Sequence, residues 1–115
     1  MKRGEVWWAE LRPRSGSEQK GNRPAIIISH DGFNSIPGWR SIIIIPVSTS
    51  PRQLLRGPTS IPIPAGEGGI DRDSVALCHQ VTTLDRAKLT KCLGLLSLPM
   101  LEKIEAGLKA AMDLL

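Results

Sequence analysis

The sequence predicts a mainly β fold: a strongly bent antiparallel sheet or small β-barrel with one C-terminal α-helix. Short β-branched runs such as Pro24–Ser29 and Arg40–Val47 are bounded by turn residues and are too short and too branched to read as helices. Other stretches alternate apolar and polar residues with the period of a half-buried strand. Only the last stretch, from Leu98 onward, spaces its apolar residues by three and four, the repeat of an amphipathic helix. Strands in series followed by a single helix favour a curved sheet with the helix packed against it.

Gly4–Leu11 (GEVWWAEL) reads as the first strand, with Val6, Trp8 and Leu11 facing inward and Glu5, Trp7 and Ala9 outward. Trp7, on the outer face, is then the better candidate for a subunit interface. Arg12–Asn22 gathers Pro, Gly, Ser and charge, the composition of an exposed loop. Pro24–Ser29 and Arg40–Val47 follow as buried strands, joined by a loop (HDGFNSIPG) with room for one helical turn. Thr59–Ile63 is a further strand whose Pro62 lacks a ladder donor, which places it at a sheet edge or a bulge. Asp73–Val81 alternates again, with Val75, Leu77, His79 and Val81 on one face and Ser74, Ala76, Cys78 and Gln80 on the other. Lys88–Leu96 supplies a last strand. Ser97 then caps a helix whose apolar stripe is Leu98, Leu101, Ile104, Leu108, Ala111 and Leu115, with Glu105 and Lys109 as an i,i+4 pair.

A chain of 115 residues with 41% apolar composition suits one domain over residues 1–115 with a real core. The net charge of +4 permits a polyanionic partner through phosphate contacts without requiring one. Two cysteines, Cys78 and Cys92, have no histidines at zinc-ligand spacing and no disulfide-framework density, so a reducing cytoplasm is the expected location. No signal-peptide core follows the charged start, and the aliphatic run Ile42–Ile45 is far too short to span a bilayer. No membrane partner is expected.

Several groups are candidates for chemistry. His30 and His79 suggest a His-His acid/base pair, but His79 shares its strand face with three aliphatic residues and reads as a partly buried structural histidine, while His30 falls in a turn. Glu67, Asp71 and Asp73 are the nearest approach to a metal cluster and lie in a glycine-rich turn, where carboxylates are ordinarily solvated; no metal is expected. GEGG at Gly66–Gly69 lacks the lysine and the following helix of a phosphate loop.

The loop up to Arg23 concentrates Arg12, Arg14 and Lys20 with Glu18 and Gln19. Such a loop can meet a nucleic-acid ligand, although composition alone favours a merely solvated segment. Arg23 is more specific, because Pro24 and a buried strand follow it and fix its stem; a fixed guanidinium can clamp a phosphate in two-pronged fashion. Pro46–Ser50 presents the consecutive hydroxyls Ser48, Thr49 and Ser50, which are equally donors to a phosphoryl oxygen or caps of a strand end.

The blocks RGEVWWAEL, GSEQKGNRPAIIIS, IIIIPVSTS and DSVALCHQVTTLDRAKL, in that order, resemble the MazF/PemK toxin family over nearly the whole chain. The resemblance implies an SH3-like, CcdB/MazF-like barrel with a C-terminal helix, a homodimer, and sequence-specific cleavage of single-stranded RNA, often mRNA, without a cofactor. It further implies attack by the 2′-hydroxyl, leaving a 2′,3′-cyclic phosphate and a 5′-hydroxyl, and neutralisation by a cognate antitoxin protein. By the family's RPA block, Arg23 takes the acid/base and phosphate-stabilising role, of which stabilisation suits a guanidinium better. The family's catalytic threonine falls by spacing on Ser48, with Thr49 as the alternative after a one-residue shift. Glu18 and Gln19 match the loop that gates the RNA groove, and Gln80 matches a base-contacting glutamine. The alternatives are a toxin of similar fold aimed at a protein such as gyrase, and an inactive member that only binds RNA.

Overall fold

A computed structural model describes residues 1–11, Gly16 and residues 21–114, the side chain of Arg56 apart. The strands are β1 (Glu5–Glu10), β2 (Asn22–Ile27), β3 (Ser41–Ser48), β4 (Ser60–Ile63), β5 (Ser74–Leu77), β6 (Thr82–Asp85) and β7 (Leu89–Leu95). A four-residue helix, α1 (Asp31–Asn34), joins β2 to β3, and α2 (Leu98–Met112) ends the fold. The sheet runs β4-β5-β3-β2-β1-β7, with β6 paired to β3 beside β5. Every pairing is antiparallel. The predicted mainly β architecture with a terminal helix is what the chain forms.

The isoleucine runs of β2 and β3 bury side chains on both faces, although Ile43 is 41% exposed. Ile26, Ile28, Ile45 and Val47 enter one core cluster with Met100 and Ile104 of α2, while Ala25, Ile27, Ile42 and Ile44 enter a second with Leu84 and Leu89. That second cluster contains no residue of α2, so the strands themselves close over it. Curvature of the sheet is therefore required by the sequence: a flat sheet with one helix would leave half of these side chains in water.

The first strand keeps its two-residue period, but burial is distributed differently from the reading of the sequence. Val6 and Leu11 are buried as expected, but Ala9 is fully buried and Trp8 is 39% exposed. β1 is regular against β2, and the shifts in the β1–β7 register between Val6 and Trp7 and between Trp8 and Ala9 leave Leu93 and Thr90 of β7 as the extra residues. Trp7, Ala9 and Leu11 thus share one face, which the second cluster covers. Trp7, expected on the outer face, is half-buried against the second cluster.

Two further segments correct the sequence reading. The strand expected over Asp73–Val81 stops at Leu77, where Cys78–Gln80 turns as a 3₁₀ helix; this carries His79 off the apolar face into solvent, its Nδ1 3.2 Å from Thr59 Oγ1. The chain then re-enters the sheet as β6, which the alternation did not reveal. In α2, Ser97 Oγ accepts from Met100 N as expected (3.3 Å), and Ile104 is buried, but Leu98, the helix's first residue, is 75% exposed, and Met100 takes the buried place in that turn. Leu115 lies outside the described residues. Glu105 pairs with Arg3 (3.0 Å), tying the helix to the chain's start. Among the described residues no helix is long and apolar enough to cross a membrane.

Close backbone approaches lock the periphery. Gly69 has φ +76°, and a Cβ there would run into the carbonyl of Leu93 in β7. Gly107 lets α2 settle against Cys78 and Ile61. Burial pushes the Cys78 thiol up to about 11, whereas Cys92 is exposed.

Gly69→Ala is expected to destabilise the fold by about 3 kcal/mol, from backbone strain plus the clash; urea denaturation checks this, and an unchanged midpoint contradicts it. A thiol-alkylating reagent is expected to label Cys92 in the folded protein and Cys78 only in denaturant, as peptide mapping by mass spectrometry reads directly.

Candidate active site

Strand pairing assembles the site. Ala25 faces Pro46 across β2 and β3, so the same register carried two residues further sets Arg23 opposite Ser48. Ser48 in turn faces Val75, and Val75 faces Pro62. Directly opposed residues of an antiparallel ladder share a face. Arg23, Ser48, Val75 and Pro62 thus form one row across β2, β3, β5 and β4, running from a cation through a hydroxyl to apolar groups.

Above the Arg23 end of this row lies a cleft of about 310 Å³ lined by Trp8, Asn22, Arg23, Thr49, Arg72 and Ser74, with Asp71 beside them. Pro24, held opposite Trp8, restricts the backbone that carries Arg23. Ser74 donates to the carbonyl of Arg72 (2.8 Å) and so orients the segment presenting that second guanidinium. Arg72 meets Asp71 only at 4.0 Å, with both side chains well exposed, a separation at which an ion pair contributes little. Among the described lining residues, two guanidiniums stand against one carboxylate, a balance suited to an anion.

The two hydroxyls that end β3 differ in access. Ser48 is only 3% exposed, and its Oγ accepts from the backbone of Ser50 (3.1 Å), bracing the chain as it leaves the sheet. Thr49 is exposed and lines the cleft. It also lines a neighbouring hollow of about 330 Å³, walled by Pro51, Leu54, Pro62 and Ile63.

The structure thus brings Arg23 and Thr49 to one cleft, with Ser48 in the row beneath. Gln80 sits half-buried in the Cys78–Gln80 turn rather than on a strand face and lines neither cavity. Arg12, Arg14, Glu18, Gln19 and Lys20 lie outside the described residues. Of the acidic turn residues, Glu67 accepts from Ser97 N (2.6 Å) and Asp73 from Ala65 N (2.9 Å). Among the described residues no three His, Cys, Asp or Glu side chains converge. His30 caps α1 by accepting from Gly32 N (2.8 Å) and lies, like His79, away from the cleft. Sequence reasoning set Trp8 on the inward face and did not single out Asn22 or Arg72: the pairing of β1 with β2 and the placing of residues 71–74 beside β2 reveal them as cleft residues.

A family profile described as PemK-like, MazF-like toxin of type II toxin–antitoxin system matches residues 2–112. Endoribonuclease EndoA of Bacillus subtilis is 35% identical over 115 residues, covering 100% of this chain and 97% of that protein. The crystal structure of MazF from Deinococcus radiodurans superposes with a TM-score of 0.80 at 23% identity, over 99% of this chain and 97% of that one. A mycobacterial endoribonuclease in complex with its cognate antitoxin superposes with a TM-score of 0.75 at 19% identity, over 100% of this chain and 95% of that one.

Proposed function

The chain belongs to the PemK-like, MazF-like toxins of type II toxin–antitoxin systems, and from that premise we propose that it is an endoribonuclease toxin whose reaction centre is the Arg23–Thr49 cleft. The observation that carries this reading is the meeting of a strand-anchored guanidinium and an accessible hydroxyl in one cation-rich cleft.

In the proposed reaction, the 2′-oxygen of a single-stranded RNA bonds to the adjacent phosphorus while the bond from phosphorus to the 5′-oxygen breaks. The proton lost by the 2′-hydroxyl is balanced by the one gained by the departing 5′-oxygen. The products are a 2′,3′-cyclic phosphate and a 5′-hydroxyl, and no water, metal or cofactor enters the balance. Arg23 stabilises the charge that grows on the phosphoryl oxygens, since a guanidinium keeps its charge and its fork of donors throughout. Thr49 donates a further hydrogen bond, and Ser48 holds the strand exit from which Thr49 projects. Trp8, exposed on the cleft wall, offers a stacking surface to a neighbouring base.

Cutting mRNA in this way would inhibit translation and growth in the cytoplasm. A cognate antitoxin with an acidic, partly disordered segment would neutralise the toxin by seeking the same cations, and the toxin is proposed to act as a homodimer. Glu18, Gln19 and Gln80 remain proposed RNA contacts through the family motifs they match, and Arg12, Arg14 and Lys20 through the cations they concentrate in the same stretch.

Incubating the protein with long single-stranded RNA in excess chelator is expected to yield cuts with 2′,3′-cyclic phosphate ends; intact RNA would overturn the reading. Arg23→Ala is expected to lower kcat/KM by about a thousandfold or more and Thr49→Val by about a hundredfold, with Ser48→Ala costing less. The reverse order of the two hydroxyl variants would move the chemistry to Ser48. Trp8→Ala is expected to raise KM about tenfold at nearly constant kcat, with Trp8→Phe close to the parent; steady-state kinetics on a short cleaved RNA decides it.

A further inference from the structure

We propose that the hollow beside the cleft is a nucleobase subsite in which Asp73 selects a base bearing an exocyclic amino group; the inference rests on the RNA-cleaving reading above. Thr49 and Ser74 line both cavities, so the two adjoin. A nucleotide whose phosphate meets Arg23 would have its base carried directly to the second one. The row that starts at Arg23 and Ser48 continues through Val75 and Pro62, which belong to the hollow's lining.

The lining fits a base rather than a second phosphate. Pro51, Leu54, Pro62 and Ile63 supply apolar surface, against which a flat heterocycle packs, and among the described residues lining the hollow none is a cation and Asp73 is the one charged group. Oδ1 of Asp73 accepts from the backbone of Ala65 (2.9 Å), which fixes the carboxylate in place and leaves Oδ2 as the acceptor for a ligand. An acceptor-only group pairs with the amino donors of adenine, cytosine and guanine, as carboxylates do with cytosine N4. Uracil carries no exocyclic amino group. Uracil's one edge donor, the ring N3–H, is flanked by two carbonyls that repel a carboxylate approaching that edge, so Asp73 acts chiefly by exclusion.

The test sequences the fraction of random RNA octamers carrying 2′-methoxy groups that is retained by the protein. These probes are blocked from 2′-attack, so binding is read independently of cleavage. The parent protein is expected to deplete uracil at one position by about fivefold or more, the smallest effect of a well-placed base-edge hydrogen bond. Asp73→Asn keeps an oxygen for Ala65 but adds an amide donor, and is expected to remove or invert that depletion. Leu54→Trp, which fills the hollow from a half-exposed position, is expected to flatten the preference at the same position. Identical profiles for the three proteins, or no uracil depletion in the parent, overturn the proposal and leave the hollow to an apolar side chain of a protein partner. Absence of RNA cleavage by the parent, with these profiles as expected, would instead overturn the nuclease reading alone.

Discussion

The fold depends on β3 serving several partners at once. One edge pairs with β2; the other pairs with β6 over Ser41–Ile44 and with β5 over Val47 and Ser48. Ile45 and Pro46 fall in the gap between those two partners. Pro46 has no N–H to give, so its place is where that edge changes partner and demands least of the ladder. A strand shared in this way cannot stay in a flat sheet. The turn of partner lifts β5 and β4 away from β6, and the two faces of the isoleucine run are buried in separate clusters as a result.

The same constraint makes the site. Because β3 pairs with β2 on one edge and β5 on the other at its C-terminal end, the row from Arg23 to Pro62 is continuous across the sheet. Polar chemistry and apolar recognition surface then stand side by side on one rigid support. A guanidinium on a strand next to a proline loses little further freedom on meeting a phosphate, whereas the same group on a loop would have to be ordered at the moment of binding. The segment that presents Arg72 is held by its own bond from Ser74, so the second cation is also positioned by the sheet.

Much of the fold was legible from local pattern, because burial dictates residue type wherever a strand keeps its period. The isoleucine runs, the edge strand with Pro62 and the Ser97-capped helix all follow that rule. Legibility failed where the period broke or where both faces of a strand were covered. Ala9 is buried because the face it shares with Trp7 and Leu11 lies under the second cluster, which no alternation announces, and His79 left the apolar face because β5 ends in a 3₁₀ turn. Both are long-range effects: the cover over Ala9 comes from β2, β3, β6 and β7, and the turn answers to the packing of Cys78 under α2. In the site, Arg23 stood out through its neighbour Pro24 and its motif, but Trp8 and Arg72 had no such signal, since only tertiary pairing brings residues 8, 23 and 72 to one cleft.

The hydroxyl segment illustrates how the two kinds of information complement each other. Spacing against the family motif selects Ser48, and the strand register agrees that Ser48 is the residue opposite Arg23. Burial distinguishes the role of the two: a side chain 3% exposed, with its oxygen already accepting from Ser50, has little surface to offer a phosphate, while its neighbour opens onto both cavities. Replacing a threonine by serine at the strand position removes the methyl that restricts rotation, and here the bond to Ser50 N restores that restriction by other means. The strand end is thereby kept rigid, and the next residue in the chain, Thr49, is held where the cleft and the hollow meet.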